Sequence, residues 1–427
     1  MRVGEQFCPG ILHAVQAKDG LLLRIRVPGG LIEAEQLRVV ADLSRSFADG
    51  QIEITSRANL QLRGVQSQDL NQIVASIAGA GLLPSPQHDR VRNIVTSPVA
   101  GFDSEELIDT RPLVRDLDMR LRENAIFADL HPKFSFAVFG GPKRFSYDLD
   151  DLTLEAVDFN SETYFDLRMA EVSLGRVVKR ADAVACMLTA AHMCIEMAME
   201  FNTRVRANAI LKIPGARERM VNALSHVSTQ LPALPPPSFV RDALIGICPT
   251  AEENGVNIIP SVPQGRVTAQ QAYSLVDIAN VWKGELRFAP WRGIVLCSIA
   301  RGAAGTIADQ LRRVGLSCEG HDGFQGIAAC AGITGCDAAL ADVRGDAVSL
   351  AQRFAGHTAP PGWTVNLSGC EKQCGRRHGA SAELVADVSG YTLNIDGRCV
   401  AIGCSTDFAL DAVAARHETS LCEVAAQ

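Results

Sequence analysis

An α/β (α+β) fold, built twice as pseudo-two-fold halves, is what this sequence predicts. Three observations predict it. A proline-rich stretch, Leu231-Pro-Ala-Leu-Pro-Pro-Pro-Ser238, divides the 427 residues near their middle, and four prolines in eight residues cannot continue a helix or a central strand. The segments on either side of it repeat one order of helix, glycine and strand. The composition, 47% hydrophobic and 21% charged, is that of a globular chain, and at about 150 residues per domain it holds two to three domains.

The elements follow in order. Pro28-Gly-Gly30 leads into Leu31–Ala48, whose apolar residues have helical spacing. After Gly50, the alternation in Gln51-Ile-Glu-Ile-Thr55 predicts a strand. Pro263-Gln-Gly265 leads into a second helix-like run, Arg266–Lys283, and after Gly284 comes a second strand, Glu285-Leu-Arg-Phe-Ala289. The offset is 235 residues from Pro28 to Pro263 and 234 from Gly50 to Gly284. A match of this length with its order preserved reads as a duplication, and two such units enclose a crevice between them. Softer breaks fall at Pro84-Ser-Pro86 and Ala359-Pro-Pro-Gly362. Ala181–Phe201 is the most hydrophobic stretch, but Asp182, His192, Glu196 and Glu200 interrupt it. It reads as a buried amphipathic helix and not as a membrane span. Asp407–Ala426 reads as a helix that caps the fold.

Charge and cysteine usage narrow the function. A net charge of −7 argues against a general nucleic-acid binder and leaves room for a local basic pocket. The first thirty residues carry Arg2, Glu5, Lys18, Asp19, Arg24 and Arg26 and no secretory pattern, so the 13 cysteines read as reduced cytoplasmic thiols, some of them metal-binding. No G-x-G-x-x-G follows a strand, so electrons come from a separate reductase and not from a built-in nicotinamide site.

Cys330-Ala-Gly-Ile-Thr-Gly-Cys336 and Cys370-Glu-Lys-Gln-Cys374 are the strongest chemical signal. Glycines 332, 335, 369 and 375 surround them, which lets backbone wrap closely around a bulky inorganic core. Four thiolates are what a [4Fe-4S] cluster requires, and the five-residue gap in the first pair is wider than structural zinc prefers. Cys186, Cys194, Cys297 and Cys318 lie in apolar runs and read as core thiols.

This pattern, with Asn366-Leu-Ser-Gly-Cys370 leading into the second pair, resembles the sulfite and nitrite reductase superfamily. The resemblance covers nearly the whole chain. It implies ferredoxin-like half-domains at 1–84 and 231–316 (the second with the linker) and reductase-like domains at 85–230 and 317–427. It also implies a [4Fe-4S] cluster on Cys330, Cys336, Cys370 and Cys374, the last of which bridges to sirohaem iron in the reductases. Thr55-Ser-Arg-Ala-Asn-Leu-Gln-Leu-Arg-Gly64 resembles the family's first tetrapyrrole-binding segment, with Arg57 at its first arginine. Val91-Arg-Asn-Ile94 supplies Arg92, and the family's lysine-containing strand matches His131-Pro-Lys-Phe-Ser-Phe136, with Lys133 as its first lysine. Guanidinium groups bind the carboxylates that ring a tetrapyrrole in bidentate fashion. Arg63 belongs to the same segment, though strand alternation also suits it to solvent.

The pattern breaks at Ser135, where sirohaem reductases place a second lysine. Losing a cation where a bound anion is to be reduced counts against sulfite or nitrite reduction. Cys8-Pro-Gly10 and Ala17-Lys-Asp-Gly-Leu-Leu-Leu-Arg-Ile-Arg-Val-Pro-Gly-Gly30 resemble the precorrin-3B synthase branch of the superfamily. That resemblance implies an oxygen-dependent monooxygenase of cobalamin biosynthesis, which hydroxylates precorrin-3A at a meso carbon as a lactone closes. It also implies a mononuclear non-haem iron. No motif identifies its ligands: His192 and Glu196 stand one helical turn apart, and His131, His321, His357 and His378 are further candidates. A sirohaem-dependent reductase is the alternative.

Overall fold

The computed structural model describes residues 8–141, 145, 150–159, 162–231, 244–375 and 379–425. The proline-rich linker beyond Leu231 and His378 lie outside the described residues. The first half runs β1 (Val15–Ala17), β2 (Gly20–Ile25), β3 (Leu31–Ile32), α1 (Ala34–Phe47), β4 (Gln51–Ile54), β5 (Leu60–Val65), α2 (Leu70–Gly79), β6 (Ile94–Thr96), α3 (Arg111–Glu123), β7 (Phe136–Phe139), β8 (Leu152–Phe159), β9 (Glu162–Met169), β10 (Val172–Lys179), α4 (Ala183–Glu200), α5 (Ala207–Ile210), α6 (Ala216–Ala223) and β11 (Thr229–Gln230). The second half runs β12 (Gly246–Pro249), β13 (Gly255–Ile259), β14 (Arg266–Thr268), α7 (Ala269–Trp282), β15 (Glu285–Ala289), β16 (Gly293–Ala300), α8 (Ala304–Arg313), β17 (Ile327–Ala329), α9 (Gly332–Gly335), α10 (Val343–Phe354), β18 (Val365–Ser368), β19 (Ala382–Asp387), β20 (Gly390–Ile395), β21 (Arg398–Cys404) and α11 (Thr406–Ala425).

The duplication extends far beyond the two helix–strand units visible in the sequence. Sheet β6–β10 opens with three parallel strands and continues antiparallel, and sheet β17–β21 does the same. In each, a helix connects the first two strands, as parallel neighbours require. A long helix, α4 or α11, closes each copy. α4 buries Ala183, Met187, Ala190, Cys194 and Met197 against its sheet, so its apolar character is spent in the core.

The two smaller sheets are interlocked. Their strand orders are β1-β2-β5-β4-β14 and β12-β13-β16-β15-β3, so each half lends one short strand to the other's sheet. This corrects the predicted helix starts. Leu31 and Ile32 pair with Arg287 and Leu286, and Arg266–Thr268 pair with Glu53–Gln51. The helices begin only afterwards, because each has a capping box there: Glu33 with Gln36, and Thr268 with Gln271. Gly30, at φ +69°, makes the exchange possible, since a Cβ there would lie 2.2 Å from the Phe288 carbonyl oxygen. Helices α1 and α7 cover both sheets from one side, and a single hydrophobic core joins Leu37, Val40, Ile52 and Leu60 to Val267, Leu275, Leu286 and Leu296.

Candidate functional site

Helices occupy one face of the β1–β14 sheet, and a polar row crosses the other. Arg24, Gln61, Glu53 and Arg266 are successive cross-strand neighbours. Leu23, Ile25 and Val27 point the opposite way into the core, because strand side chains alternate. The polar face meets the cysteine-bearing copy: Arg344 pairs with Glu53, and Lys18 Nζ donates to the Ile333 carbonyl at 2.8 Å.

The four cysteines sit just past the carboxyl ends of two adjacent parallel strands, β17 and β18. Such ends are where open α/β sheets bind ligands. Their loops are fastened to each other. Leu340 N–H donates to the Gly369 carbonyl at 2.7 Å, and Gly369 N–H donates to Cys330 Sγ at 3.2 Å. A Cβ on Gly375 would lie 2.6 Å from Asn366 Oδ1 and 3.4 Å from Cys330 N, so the turn after Cys374 presses against the start of the first cysteine loop. Four thiols at one strand-end cradle, lined by glycines and by an amide aimed at sulfur, fit a [4Fe-4S] cluster in donor chemistry. Among the described residues no three His, Cys, Asp or Glu side chains are gathered around a common point; the four thiols that would hold a cluster stand on the two fastened loops. The remaining thiols differ in setting: burial pushes Cys186 and Cys297 up to about 12 and Cys318 up to about 11, which keeps them protonated.

Two arginines clasp these loops. Arg63 Nη2 donates to the Gly335 carbonyl, next to Cys336, while Nε meets Asp19 at 2.8 Å. Arg63 is 5% exposed, so the solvent-facing reading of its strand position is corrected: its fork is closed by a carboxylate and a carbonyl. Arg292 donates to the Ala329 carbonyl at 3.4 Å and to the Gly375 carbonyl, one residue before Cys330 and one after Cys374.

The other predicted segments meet at a buried amide pair that sequence reasoning missed. Asn59 accepts from Val27 N–H at 2.9 Å and donates to Asn93 at 3.3 Å. Asn93 donates in turn to the Pro132 and Phe134 carbonyls at 3.0 and 3.1 Å. One network therefore ties the Arg57 turn to the Arg92 segment and to the Lys133 turn. Both asparagines stand inside the quoted motifs, and a short amide beside the motif arginines was the available signal. Lys133 is in a turn and not in a strand, because Phe134 N–H closes back onto the His131 carbonyl at 2.7 Å before β7 begins. Arg92 is held bidentately by Asp118, at 2.6 and 2.9 Å. Ser135 is fully buried, and its hydroxyl has no hydrogen-bond partner among the described residues.

The histidine candidates do not converge. His192 lies 3.8 Å from Glu196 on the half-exposed side of α4. His131 Nδ1 accepts from Lys133 N–H at 3.0 Å. Among the described residues no three metal donors gather at any of these histidines, and His378 lies outside the described residues, so ligands of a mononuclear iron are not identified.

Comparison with known proteins agrees with this architecture. The model of the nitrite/sulfite reductase ferredoxin-like half domain matches residues 13–80 and 251–314, and that of the nitrite and sulphite reductase 4Fe-4S domain matches 87–185. The latter match falls on the copy without the cysteine quartet. Ferredoxin–nitrite reductase of Synechococcus elongatus is 26% identical, over 92% of this chain and 80% of its own. Precorrin-3B synthase of Sinorhizobium sp is also 26% identical, over 91% and 82%. The solved structure of Mycobacterium tuberculosis NirA protein superposes with a TM-score of 0.75 at 18% identity, covering 92% of this chain and 79% of that one, a likeness of fold. The matched models together span more than half of the sequence, and the chain belongs to the nitrite and sulfite reductase superfamily of iron–sulfur oxidoreductases.

Proposed function

We propose that this chain is a precorrin-3B synthase-like monooxygenase: it hydroxylates precorrin-3A at a meso carbon, with lactone formation, using dioxygen and a separate electron donor. The observation that carries the reading is the serine at position 135, where the sirohaem reductases carry a lysine. Ser135 contributes no charge there, and the Arg92 fork is closed on Asp118. An enzyme that reduces a small anion needs positive charge at the bound anion, whereas a polycarboxylate substrate needs it at the rim.

In this reading the substrate occupies the crevice between the polar sheet face and the cysteine-bearing copy. Arg57 and Lys133 take its carboxylates, each from a turn fixed by the Asn59–Asn93 pair. Arg63 and Arg92 are not proposed as ligand contacts, because carboxylates of the chain itself already neutralise them. A cluster on Cys330, Cys336, Cys370 and Cys374 supplies one-electron relay from the external donor. One atom of dioxygen enters the product, and the other leaves as water with two electrons and two protons from that donor.

The similarity to precorrin-3B synthase is matched by that to nitrite reductase, so the test must separate them. Protein purified without oxygen is checked for cluster absorbance and extracted with acidified solvent. The reading expects a cluster, no sirohaem, and oxygen-dependent conversion of precorrin-3A to a product one oxygen heavier. Stoichiometric sirohaem with nitrite or sulfite reduction overturns it in favour of a reductase.

A further inference from the structure

We propose that Tyr391 and Asp346, a hydrogen-bonded pair behind the cysteine cradle, keep a negative charge beside the cluster and so hold down its reduction potential. The inference rests on the assignment of that cluster to Cys330, Cys336, Cys370 and Cys374.

Topology puts both side chains at the cysteine-bearing end of the sheet. β17 runs out into the first cysteine loop, and the chain returns through α10 to the parallel strand β18, so α10 starts at the carboxyl end of β17. The start of α10 packs on that loop: Ile333 N–H donates to the Ala341 carbonyl at 3.1 Å, and a Cβ on Gly332 would lie 3.4 Å from Val343 N. Asp346 is in the first turn of this helix. On β20, Tyr391 pairs with Ala386, and the neighbouring Val385 pairs with Ser368, two residues before Cys370. Tyr391 is 2% exposed and belongs to the same core as Val343, Leu367 and Leu384, against which Cys330 packs. Its hydroxyl donates to Asp346 Oδ2 at 2.5 Å.

The pair has a fixed polarity. Burial first, then the hydrogen bond to Asp346 and the charges of Asp346 and Cys330, push the Tyr391 hydroxyl well above its ordinary range, so it remains a donor. The other charged groups facing Asp346 are Asp342 and Asp407, both acids, and among the described residues no cation pairs with it. Arg353, on the same helix, is taken by Asp407 and Asp411. Reduction adds an electron to a cluster, and a nearby anion opposes it, more strongly where water is excluded. The Gly369 N–H that donates to Cys330 Sγ acts in the opposite sense.

The probe is the midpoint potential of the cluster in full-length, cluster-loaded protein. It is titrated without oxygen at pH 8 and followed by the loss of absorbance on reduction. Asp346→Asn and Tyr391→Phe are compared with wild type and with Asp158→Asn, which alters an exposed acid of the other copy. Asp346→Asn should favour the reduced cluster about tenfold, or 59 mV for a one-electron couple. Tyr391→Phe should shift the midpoint the same way by less, because the freed carboxylate turns toward water. An unmoved midpoint in Asp346→Asn overturns the proposal, as does an equal shift in Asp158→Asn; the pair then only ties β20 to α10. If Asp346→Asn does not load its cluster, Tyr391→Phe decides, and an unmoved midpoint there overturns the proposal. Wild type that holds no cluster overturns the cysteine assignment itself, so the two failures are distinct.

Discussion

The two reductase-like copies share one scaffold and have opposite contents at the same place. In each, a leucine N–H fastens the loop after the first parallel strand to a glycine carbonyl after the second, at 2.7 Å: Leu340 to Gly369, and Leu107 to Gly140. One residue past β17 is Cys330, and one past β6 is Ser97. Two residues past β18 is Cys370, and two past β7 is Gly141. Where the second copy gathers thiols, the first packs Val99, Phe102 and Phe145 against Ile259, Ala289, Val295 and Cys297, with Phe145 edge-on to Trp291 at 5.4 Å. The sheets facing these places differ to match. Gln61, Glu53 and Arg266 form a polar row toward the cysteines, and Val295, Arg287 and Leu31 form the corresponding row of the other sheet. In the proposed reading one strand-end cradle holds the cluster, while its twin is filled by apolar side chains.

The largest expected effect tests the first half of that contrast. Cys370→Ala should abolish both the brown absorbance and turnover; a variant that keeps cluster and activity sinks the quartet. The apolar filling is tested next. Phe145→Ala should cost about 3–5 kcal/mol of stability by leaving a cavity, read from urea midpoints, with the cluster retained. A loss under 1 kcal/mol by that measurement, against the usual scale of core truncations, would mean the filling is not structural. The repeat-related arginines Arg57 and Arg292 sharpen the comparison further. Arg57→Gln should weaken binding of uroporphyrin III, an octacarboxylate tetrapyrrole titrated by fluorescence, about tenfold and leave the cluster intact. Arg292→Gln should leave binding intact and speed bleaching of the cluster in air, because the carbonyls beside Cys330 and Cys374 lose their clasp. Exchange of those two phenotypes would refute the division of labour.

The smallest effect is a pH dependence that arises from a carboxyl of the first copy. Burial pushes Glu106 up to about 7, against the opposing hydrogen bond from Gly101 N–H at 2.5 Å. A carboxyl raised in the folded state adds stability below its ordinary range, and that stability is lost as pH rises through about 7. After allowance for solvent screening the effect is about 1 kcal/mol. Glu106→Gln should remove this slope between pH 5 and pH 8; an unchanged slope assigns it to another group.

Much of the fold was legible in the sequence. Periodicity marked α1 and α7 because each shows a continuous apolar stripe, and the Pro-Gly turns announced the repeat. The cysteine spacing, its glycines and the serine at position 135 were equally plain, since motif chemistry is local. The repeat of the larger domains was not legible, because β6–β10 and β17–β21 share topology while their loops have diverged in length and content. The strand exchange also escaped. Leu31–Ile32 and Arg266–Thr268 adjoin true helices, and only pairing with the other half makes them strands.

The sequence by itself determined the duplication, the thiol quartet and an excess of basic residues in particular segments of an acidic chain. Only the tertiary structure decided which of those cations are spent. Asp19 lies 44 residues from Arg63, Asp118 lies 26 from Arg92, and the Gly375 carbonyl lies 83 from Arg292. The physical reason is the range of the interactions. Helix, strand and turn preferences act within a few residues, whereas the neutralisation of a buried charge depends on whatever the fold brings within hydrogen-bond distance. Arg26 is buried for that reason, and among the described residues its recorded partners are the Pro9 and Arg90 carbonyls.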